Sequence, residues 1–314
     1  MDPTNVYARL DDEGTLYLKS IQDTGYNLYT SSASIKSNWN TAGNATKASV
    51  LKVEIEEPIA PTSGENMFLE YTNLKNIEKI KNLHTENMVS MCQMFRKCEG
   101  IEYLDLSSFD TKQVINYGGI FAYCTNLKKV DISSFDTSNA IYFNSFFANC
   151  NKLEKIDVSN FNTENVTTMY NMFAGCTIIT ELDLKGFDTR KVNDMRYMFY
   201  LCNSLKNLDL RAFNTQKVTK TTEMFRQCKN LETLDISNFS TEKIDDANQM
   251  FYCDDKLKKL NLGKSFIIGE NLNIFYRMLA GSPSNIIITT IQETANKIKE
   301  IHTNLTDNNF EIIE

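Results

Sequence analysis

Phenylalanine recurs at a fixed interval of 26 residues through most of the chain. Cysteine keeps the same interval from Cys98 to Cys228, whereas Cys253 comes one residue early. Self-similarity at a constant period is the signature of a repeat architecture, in which each unit buries its apolar face against its neighbours. The chain therefore predicts a solenoid of stacked coils with two phased rings per unit. The two series are Phe95, Phe121, Phe147, Phe173, Phe199, Phe225 and Phe251, and Phe109, Phe135, Phe161, Phe187, Phe213 and Phe239.

Between the two rings of each unit lies a segment with period-two alternation. Leu182 and Leu184, for example, flank Asp183. Such alternation places the apolar residues on one face of a short strand and the polar residue on the other. One strand per unit predicts one parallel sheet, with strands about 4.8 Å apart. The seven segments begin at Ile101, Leu127, Leu153, Ile179, Leu205, Leu231 and Leu257.

The remainder of each unit predicts tight turns. Dipeptides such as Asp110-Thr111 follow the second ring, and their side chains bond to nearby backbone amides, which makes a turn without glycine. Val166, Met169 and Met172 then recur at intervals of three. This period favours short helical or 3-10 turns on the side opposite the sheet, with a second short strand near the valine as the alternative.

The repeat fails at both ends of the chain, which predicts three regions. Residues 1–66 hold strand-like runs and end at a proline-bounded breaker, so they predict a β-rich N-terminal cap. Residues 67–283 predict the solenoid, with about eight 26-residue units. Residues 284–314 predict a C-terminal cap made of a strand and a helix, the helix starting at a capping box of Thr290 and Glu293. The N-terminal runs are Val6–Leu10, Thr15–Leu18, Tyr26–Tyr29 and Val50–Ile55.

The charge balance narrows the classes of partner. The chain carries 33 Lys and Arg against 40 Asp and Glu, a formal net charge of −7, and no local basic stripe is present. Nucleic acid is therefore not an expected partner, because its binding depends on cationic side chains that neutralise phosphates. No apolar run is long enough to predict a membrane span. At the start of the chain, Asp2, Asp11, Asp12 and Glu13 interrupt any signal-peptide core.

Two recurring strings make the chain resemble the BspA-type leucine-rich repeats of bacterial surface proteins. They are Leu-Asp-Leu-Ser-Ser-Phe-Asp-Thr at residues 104–111 and Met-Tyr-Asn-Met-Phe-Ala-Gly-Cys at residues 169–176. The leader, with Tyr7-Ala8-Arg9-Leu10 and a lone Trp39, is also similar to that family's N-terminal segment. The resemblance implies an α/β, right-handed leucine-rich-repeat solenoid, capped at both ends. It also implies a secreted or lipid-anchored protein that binds other macromolecules, as adhesins do.

Eight cysteines raise the question of disulfides, metal or a nucleophile. One cysteine per coil does not match the close pairs of a metal site, and equivalent positions of neighbouring coils have parallel Cβ vectors, a poor geometry for a disulfide. We therefore expect a buried, reduced cysteine ladder and neither metal nor cofactor. Cys92 stands apart, because its equivalents vary from Gly118 to Arg196, and this variation predicts an exposed thiol. It is reactive, bridged to Cys98, or a tolerated surface thiol.

The outward strand positions form the candidate partner-binding face. An aspartate recurs in the exposed slot of each strand, and repulsion between neighbouring carboxylates at this spacing amounts to about 0.8 kcal/mol in water. Solvent, serine hydroxyls and the cations Lys185 and Arg211 relieve this repulsion, or the row attracts a basic partner or a hard cation such as calcium. The candidate residues are Asp105, Asp131, Asp157, Asp183, Asp209, Asp235, Lys129, Lys155 and Tyr103.

The sequence contains no recognisable catalytic motif. No phosphate-binding glycine loop is present, and the many carboxylates sit in equivalent slots, where like environments cannot separate two pKa values for acid–base work. We therefore expect a non-enzymatic surface protein that binds a protein or another extracellular macromolecule through the sheet face. The alternative is a non-exported, cytoplasmic interaction module of the phage or effector type, since free thiols tolerate a reducing cell.

Overall fold

Successive coils lie side by side in the structure, so that the first phenylalanine series forms a column. The structure is a computed structural model that describes residues 6–20, 27–29 and 47–314. Neighbouring rings from Phe68 to Phe251 lie 5.3–6.1 Å apart between centroids, with ring planes within 22° of each other. These rings are fully buried. The predicted parallel solenoid of the leucine-rich-repeat type is thereby confirmed. Tyr26 of the third predicted strand and Trp39 lie outside the described residues.

The strands are short, and each described coil of the regular repeat holds one except the coil of residues 155–157. A central leucine or valine is buried in the strands Tyr103–Asp105, Lys129–Asp131 and Thr233–Asp235, and the residues on either side are exposed or half-exposed, as alternation predicts. The strands are β1 Val6–Leu10, β2 Thr15–Lys19, β3 Asn27–Tyr29, β4 Lys52–Ile55, β5 Asn76–Glu78, β6 Tyr103–Asp105, β7 Lys129–Asp131, β8 Glu181–Leu182, β9 Asn207–Leu208, β10 Thr233–Asp235, β11 Lys259–Gly263, β12 Ile287–Thr290 and β13 Phe310–Ile312. The α-helix, α1, spans Gln292–Ile301, and 3-10 turns lie at Lys47–Ser49, Ile80–Asn82, Leu272–Phe275 and Asp307–Asn309.

The prediction of one continuous sheet is wrong. The described strands form four sheets, in the orders β3-β1-β2-β4-β5, β6-β7, β8-β9 and β10-β11-β12-β13. The main break lies at residues 155–157, which form no strand although the sequence predicts one there. Of this coil, Glu154 still donates to the Lys128 carbonyl at 3.1 Å. The side of the solenoid that carries the strands is therefore interrupted, and grooves open between neighbouring coils.

The opposite side of each coil is not helical, which corrects the prediction of helical or 3-10 turns for the regular units. It is a chain of β-turns, which we call the turn ribbon, running from Met91 to Cys98 and through the equivalent residues of the later coils. In one coil the N–H groups of Met169, Asn171, Phe173 and Gly175 donate to the next coil, and the N–H groups between them close turns within the coil. Asn171 and Gly175 have φ of 59° and 73°, as the third residue of such turns requires. The alternative, a second short strand near the valine, corresponds only to single parallel bridges just before the ribbon, such as that of Thr168.

Just before the turn ribbon, isolated parallel bridges join the coils without a break. They connect Ser90, Asn116, Tyr142, Thr168, Asp194, Lys220 and Asp246 in series. Since backbone bonds link every pair of these coils, the turn-ribbon side holds the pitch of the solenoid where the strand side is interrupted.

Buried threonines also tie each coil to the next. Thr163 Oγ1 donates to the Asp188 carbonyl at 3.0 Å and accepts the Asp188 N–H at 2.7 Å. The preceding residue makes the local turn, as Asp110 does by accepting the Lys112 N–H at 3.1 Å. The sequence assigned local bonds to both residues of this dipeptide, but the threonine bonds across coils. The row consists of Thr85, Thr111, Thr137, Thr163, Thr189, Thr215 and Thr241.

At the N-terminal end, an antiparallel hairpin joins the stack. β1 pairs antiparallel with β2, and β2 pairs in parallel with β4, which pairs in parallel with β5. Parallel stacking thus starts at β2, within the region 1–66 that the sequence assigns to a cap.

At the C-terminal end, a strand, a helix and a second strand follow the last coil. β11, β12 and β13 pair in parallel, and the strand β13 has no counterpart in the prediction. The predicted capping box is wrong, because Ile291 is the N-cap and Thr290 lies in β12, where its hydroxyl donates to the Gly263 carbonyl at 3.4 Å. Ala295 and Ile298 lie on the buried face of α1.

Candidate partner-binding surfaces

The sheet face is the outward surface of β6 to β11 and residues 155–157. Alternation along each strand turns Leu104 inward and Tyr103 and Asp105 outward. Tyr103 is 64% exposed, and Lys128 Nζ lies 5.7 Å from its ring centroid. Lys128 also pairs with Glu102 at 2.7 Å, as alternating charges on neighbouring strands predict.

Every aspartate of the predicted row closes the turn that follows its own segment. Each Oδ1 accepts the backbone N–H two residues later, at 2.9–3.2 Å. The hydroxyls of Ser133 and Ser159 donate to Asp131 and Asp157 at 2.7 and 2.6 Å. Arg211 donates to both oxygens of Asp209 at 2.9 and 2.7 Å. One oxygen of each carboxylate therefore serves the fold.

These hydrogen bonds also set the ionisation of the row. The serine two residues later lowers the pKa of Asp105, Asp131 and Asp157, because its hydroxyl and N–H favour the charged carboxylate. The Arg211 guanidinium holds the pKa of Asp209 far below its usual range. Serines and Arg211 thus favour the charged form of these four carboxylates, while Lys185 contributes its backbone N–H to Asp183.

Lys129 and Lys155 are cations of the sheet face that the fold leaves available, as are Lys185, Lys206 and Lys259. The side chains of Lys129 and Lys155 are exposed, and neither makes an ion pair with a described residue. Four open grooves of about 410, 550, 490 and 330 Å³ run along this face. Each of the nine predicted residues lines at least one of them. The structure thus brings the candidate residues together on one surface.

Six cysteines form the buried ladder. Each is unpaired, and its Sγ donates to a phenylalanine carbonyl of the preceding coil at 3.0–3.4 Å. Cys92 is also free, which rules out the bridge to Cys98 in this structure. Its prediction as an exposed thiol is wrong: the residue is half-buried, because Asn116 of the next coil lies against it, and burial raises the pKa of its thiol.

The turn ribbon carries a second surface that the sequence analysis missed. We call it the Tyr–Arg band, and it consists of Tyr170, Arg196, Tyr197, Tyr200, Arg226, Tyr252 and Arg277. Several members occupy equivalent positions of successive coils, 26 residues apart, such as Tyr200, Arg226 and Tyr252. The spacing was therefore visible in the sequence. The slots hold small residues in other coils, however, and a single variable position does not show which neighbours stack.

The side chains of the Tyr–Arg band touch in an unbroken series. The Arg196 guanidinium lies 5.2 Å from the Tyr170 ring centroid, and Tyr197 meets Tyr170 and Tyr200 edge to face at 5.8 Å. The Arg226 guanidinium lies 5.7 Å from the Tyr200 ring and 4.8 Å from the Tyr252 ring. The series ends where the Arg277 guanidinium lies 4.9 Å from the same Tyr252 ring.

Metal and membrane features are absent from the part of the chain that the structure describes. No group of three or more His, Cys, Asp or Glu side chains is placed there to hold a metal ion. In residues 6–20, 27–29 and 47–314, no helix has the length and apolar character that crossing a bilayer requires.

A family model described as "Mycoplasma protein of unknown function, DUF285" matches residues 62–181 and 176–279. No curated protein matches the chain. Among solved structures, a leucine-rich repeat protein from Bacteroides ovatus has a TM-score of 0.32 at 12% identity, covering 99% of this chain and 98% of its own. The pneumococcal vaccine antigen PcpA has a TM-score of 0.33 at 14% identity, covering 85% and 71%. The matches name no enzyme family, and the solenoid assignment rests on the coil geometry above.

Proposed function

The chain belongs to the DUF285 family of Mycoplasma proteins of unknown function, and we propose that it is a non-enzymatic protein that binds a macromolecular partner through its sheet face. A solenoid of this kind presents an extended surface that side chains vary without disturbing the core. Lys129, Lys155 and the exposed Tyr103 lie together on that surface, beside aspartates of the row that each keep one oxygen unused, such as Asp131 and Asp157.

One observation carries the proposal: Lys129 and Lys155 are exposed beside open grooves and make no ion pair within the described part of the chain. Elsewhere on the face, Lys128 and Lys258 pair with Glu102 and Glu232 across coils and so maintain register. The fold does not use Lys129 and Lys155 in ion pairs. A partner bearing carboxylates can therefore pair with these two ammonium groups without first breaking an intramolecular ion pair.

The resemblance to surface repeat proteins favours an adhesin-like role outside the cell, and we include export in the proposal. A non-exported interaction module is the second candidate, favoured by eight free cysteines, which a reducing compartment preserves. Trypsin treatment of intact cells distinguishes the two, because only a surface protein is digested. The right-handed winding typical of parallel β crossovers, and a capping role for the terminal segments, belong to the same proposal.

A charge-reversal experiment tests the sheet face. A panel of purified extracellular host proteins is screened on a biosensor, and each saturable binder is titrated against Lys129→Glu/Lys155→Glu. The double variant is expected to weaken binding at least tenfold. The matched control is Lys112→Glu/Lys217→Glu, which reverses two exposed lysines away from this face and is expected to leave binding unchanged. Equal weakening by both pairs contradicts the proposed face, and binding by no panel protein contradicts the adhesin-like role.

A further inference from the structure

We propose that the Tyr–Arg band is a second docking surface, separate from the sheet face, for a protein partner that presents carboxylate side chains. With coils about 4.8 Å apart, the band extends about 20 Å along the solenoid, from the coil of Tyr170 to that of Arg277. Tyrosine and arginine are the residues most enriched among those that dominate the energy of protein interfaces.

The fold does not require large side chains in these slots. The equivalents of Tyr200 one, two and three coils earlier are Ala174, Ala148 and Ala122. The same slots of those earlier coils stack with the same backbone bonds. The bulky residues of the band therefore serve something other than coil stacking.

Tyr197 even opposes the local backbone preference. Its φ is 60°, in the left-handed region that disfavours bulky residues, and its equivalents in the three preceding coils are Asn171, Ser145 and Gly119. Asparagine and glycine adopt this conformation readily, whereas tyrosine does not. A half-exposed ring at such a position is a feature that folding alone does not explain.

The arginines are held in place before any partner arrives. Arg196 donates from Nε and Nη2 to Asp194, and Arg226 Nη1 donates to Glu223 at 2.8 Å. Their side chains are 33% and 26% exposed. Because these side chains are already ordered by ion pairs and rings, a partner that binds them loses little additional rotamer entropy.

The band still has hydrogen-bonding capacity to spare, and the spare groups are mainly donors. Arg226 Nε and the Thr222 hydroxyl are buried without a partner, and one acceptor of the same slot, Asn248 Oδ1, is also without one. Arg277 hydrogen-bonds the Tyr252 hydroxyl at 3.1 Å and makes no ion pair among the described residues, and the same is true of Lys220 in the bridge row. Guanidinium and ammonium groups donate only, so carboxylate oxygens are their complement.

A protein is favoured over a glycan because arginines cover ring faces that a sugar needs for stacking. Tyr252 lies within 4.9 Å of two guanidinium groups. The band uses arginines of the turn ribbon, whereas the proposed function uses Lys129 and Lys155 on the sheet face. The two surfaces share no residue, so the two proposals are tested separately.

Poly-L-glutamate is the probe, measured by fluorescence anisotropy near physiological salt with neutral dextran as comparison. Wild-type protein is expected to bind it saturably, and Arg196→Ala/Arg226→Ala is expected to weaken binding at least tenfold. The matched control is Arg190→Ala/Arg211→Ala, which removes two arginines that also pair with an aspartate two residues earlier but lie outside the band. It is expected to change binding less than twofold.

A second variant protects the test against loss of folding. Tyr197→Asn introduces the residue that the preceding coil carries in this slot, so the fold is retained, and binding is expected to weaken at least threefold. Absence of saturable binding, equal weakening by the control, or binding of dextran instead overturns the proposal. Weakening by Lys129→Glu/Lys155→Glu alone also overturns it, because acidic chains would then bind the sheet face and the proposed function would stand.

Discussion

A cysteine of the ladder is a small apolar residue with one weak hydrogen-bond donor. Burial holds the pKa of Cys124 and Cys176 at about 12, so the reactive thiolate is scarce at neutral pH. Spacing alone predicted this role, because one cysteine per coil suits neither a metal site nor a disulfide. The carbonyl acceptor of each thiol was not predictable, since it depends on where the preceding coil places its phenylalanine backbone.

We predict that iodoacetamide labels at most two of the eight cysteines in the native protein. Cys92 and Cys253 are half-buried, whereas the other six are buried and Sγ-bonded. Intact-mass measurement after labelling at about pH 8 is expected to show no more than two added groups, and eight after labelling in denaturant. Native labelling of Cys150 would contradict the buried ladder.

Asp254 occupies the ladder position one coil after Cys228. A carboxylate is unsuited to this position, because the site is buried and holds a thiol in the preceding coils. Its Oδ1 accepts the Cys228 N–H at 2.8 Å, but Oδ2 is buried without a partner. Burial raises the pKa of this carboxyl well above its ordinary value. A raised pKa in the folded state means that its contribution to stability is intact below the unfolded value near 4 and is lost as pH rises through the folded value.

We therefore predict that Asp254→Ser stabilises the protein at neutral pH. Ser282 shows the expected geometry in the next coil, where its hydroxyl donates to the Phe251 carbonyl at 3.1 Å. Removing a buried, unpaired carboxylate oxygen is expected to raise the free energy of unfolding by about 1–3 kcal/mol at pH 7. Urea unfolding measures the gain, which is expected to shrink at about pH 4, where the wild-type carboxyl is protonated. A gain that does not depend on pH would contradict the ionisation argument.

At the scale of the coil, the threonine row links neighbouring coils by hydrogen bonds, including coils whose strands do not pair. The strand side lacks pairing at residues 155–157, yet Thr137 and Thr163 bond the flanking coils on both sides. Each threonine satisfies one carbonyl and one N–H of the next coil, so its loss leaves two backbone groups without partners.

We predict that Thr163→Val destabilises the protein although it preserves shape. Two unsatisfied backbone groups of Asp188 are expected to lower the free energy of unfolding by about 2–4 kcal/mol in urea. Thr180→Val is the control, since Thr180 is exposed on the sheet face. It is expected to change stability by less than about 0.5 kcal/mol. Equal effects of the two variants would show that the row does not link the coils.

Most strand positions and the ring column from Phe95 to Phe251 could be read from the sequence, because a period of two and a period of 26 are both set by residue type. The turn ribbon could not, because its left-handed positions hold Gln93, Lys97, Tyr197 and Leu201, none of which signals positive φ. Intervals of three between methionines suggested helix, whereas the repeated turns bury the same positions, such as Met195, Met198 and Phe199, without forming a helix. Tertiary stacking decides between the two, and a single coil does not contain that information.

At the scale of the whole molecule, the solenoid carries two candidate binding surfaces, the sheet face and the Tyr–Arg band, whose side chains the fold itself does not require. The nine residues of the sheet face were predictable, since they occupy the outward slots of recognisable strands. The Tyr–Arg band was not, because its residues come from three different slots and meet only when the coils stack. Repeat architecture permits such surfaces to evolve locally, since each coil contacts only its neighbours.

Because each coil contacts only its neighbours, we also predict that one whole 26-residue unit can be deleted without loss of the fold. Deleting residues 151–176 joins Cys150 to Thr177, the equivalent of Asn151, and stacks Phe147 on Phe199 as it now stacks on Phe173. The shortened protein is expected to keep its circular dichroism spectrum and to unfold in urea with an m-value lower by roughly a tenth, because less surface is exposed on unfolding. Deleting residues 151–163 is the control, since half a coil places every later side chain against the wrong neighbour, and loss of cooperative unfolding is expected. If both deletion variants unfold equally cooperatively, stacking of equivalent side chains in columns does not hold the coils together.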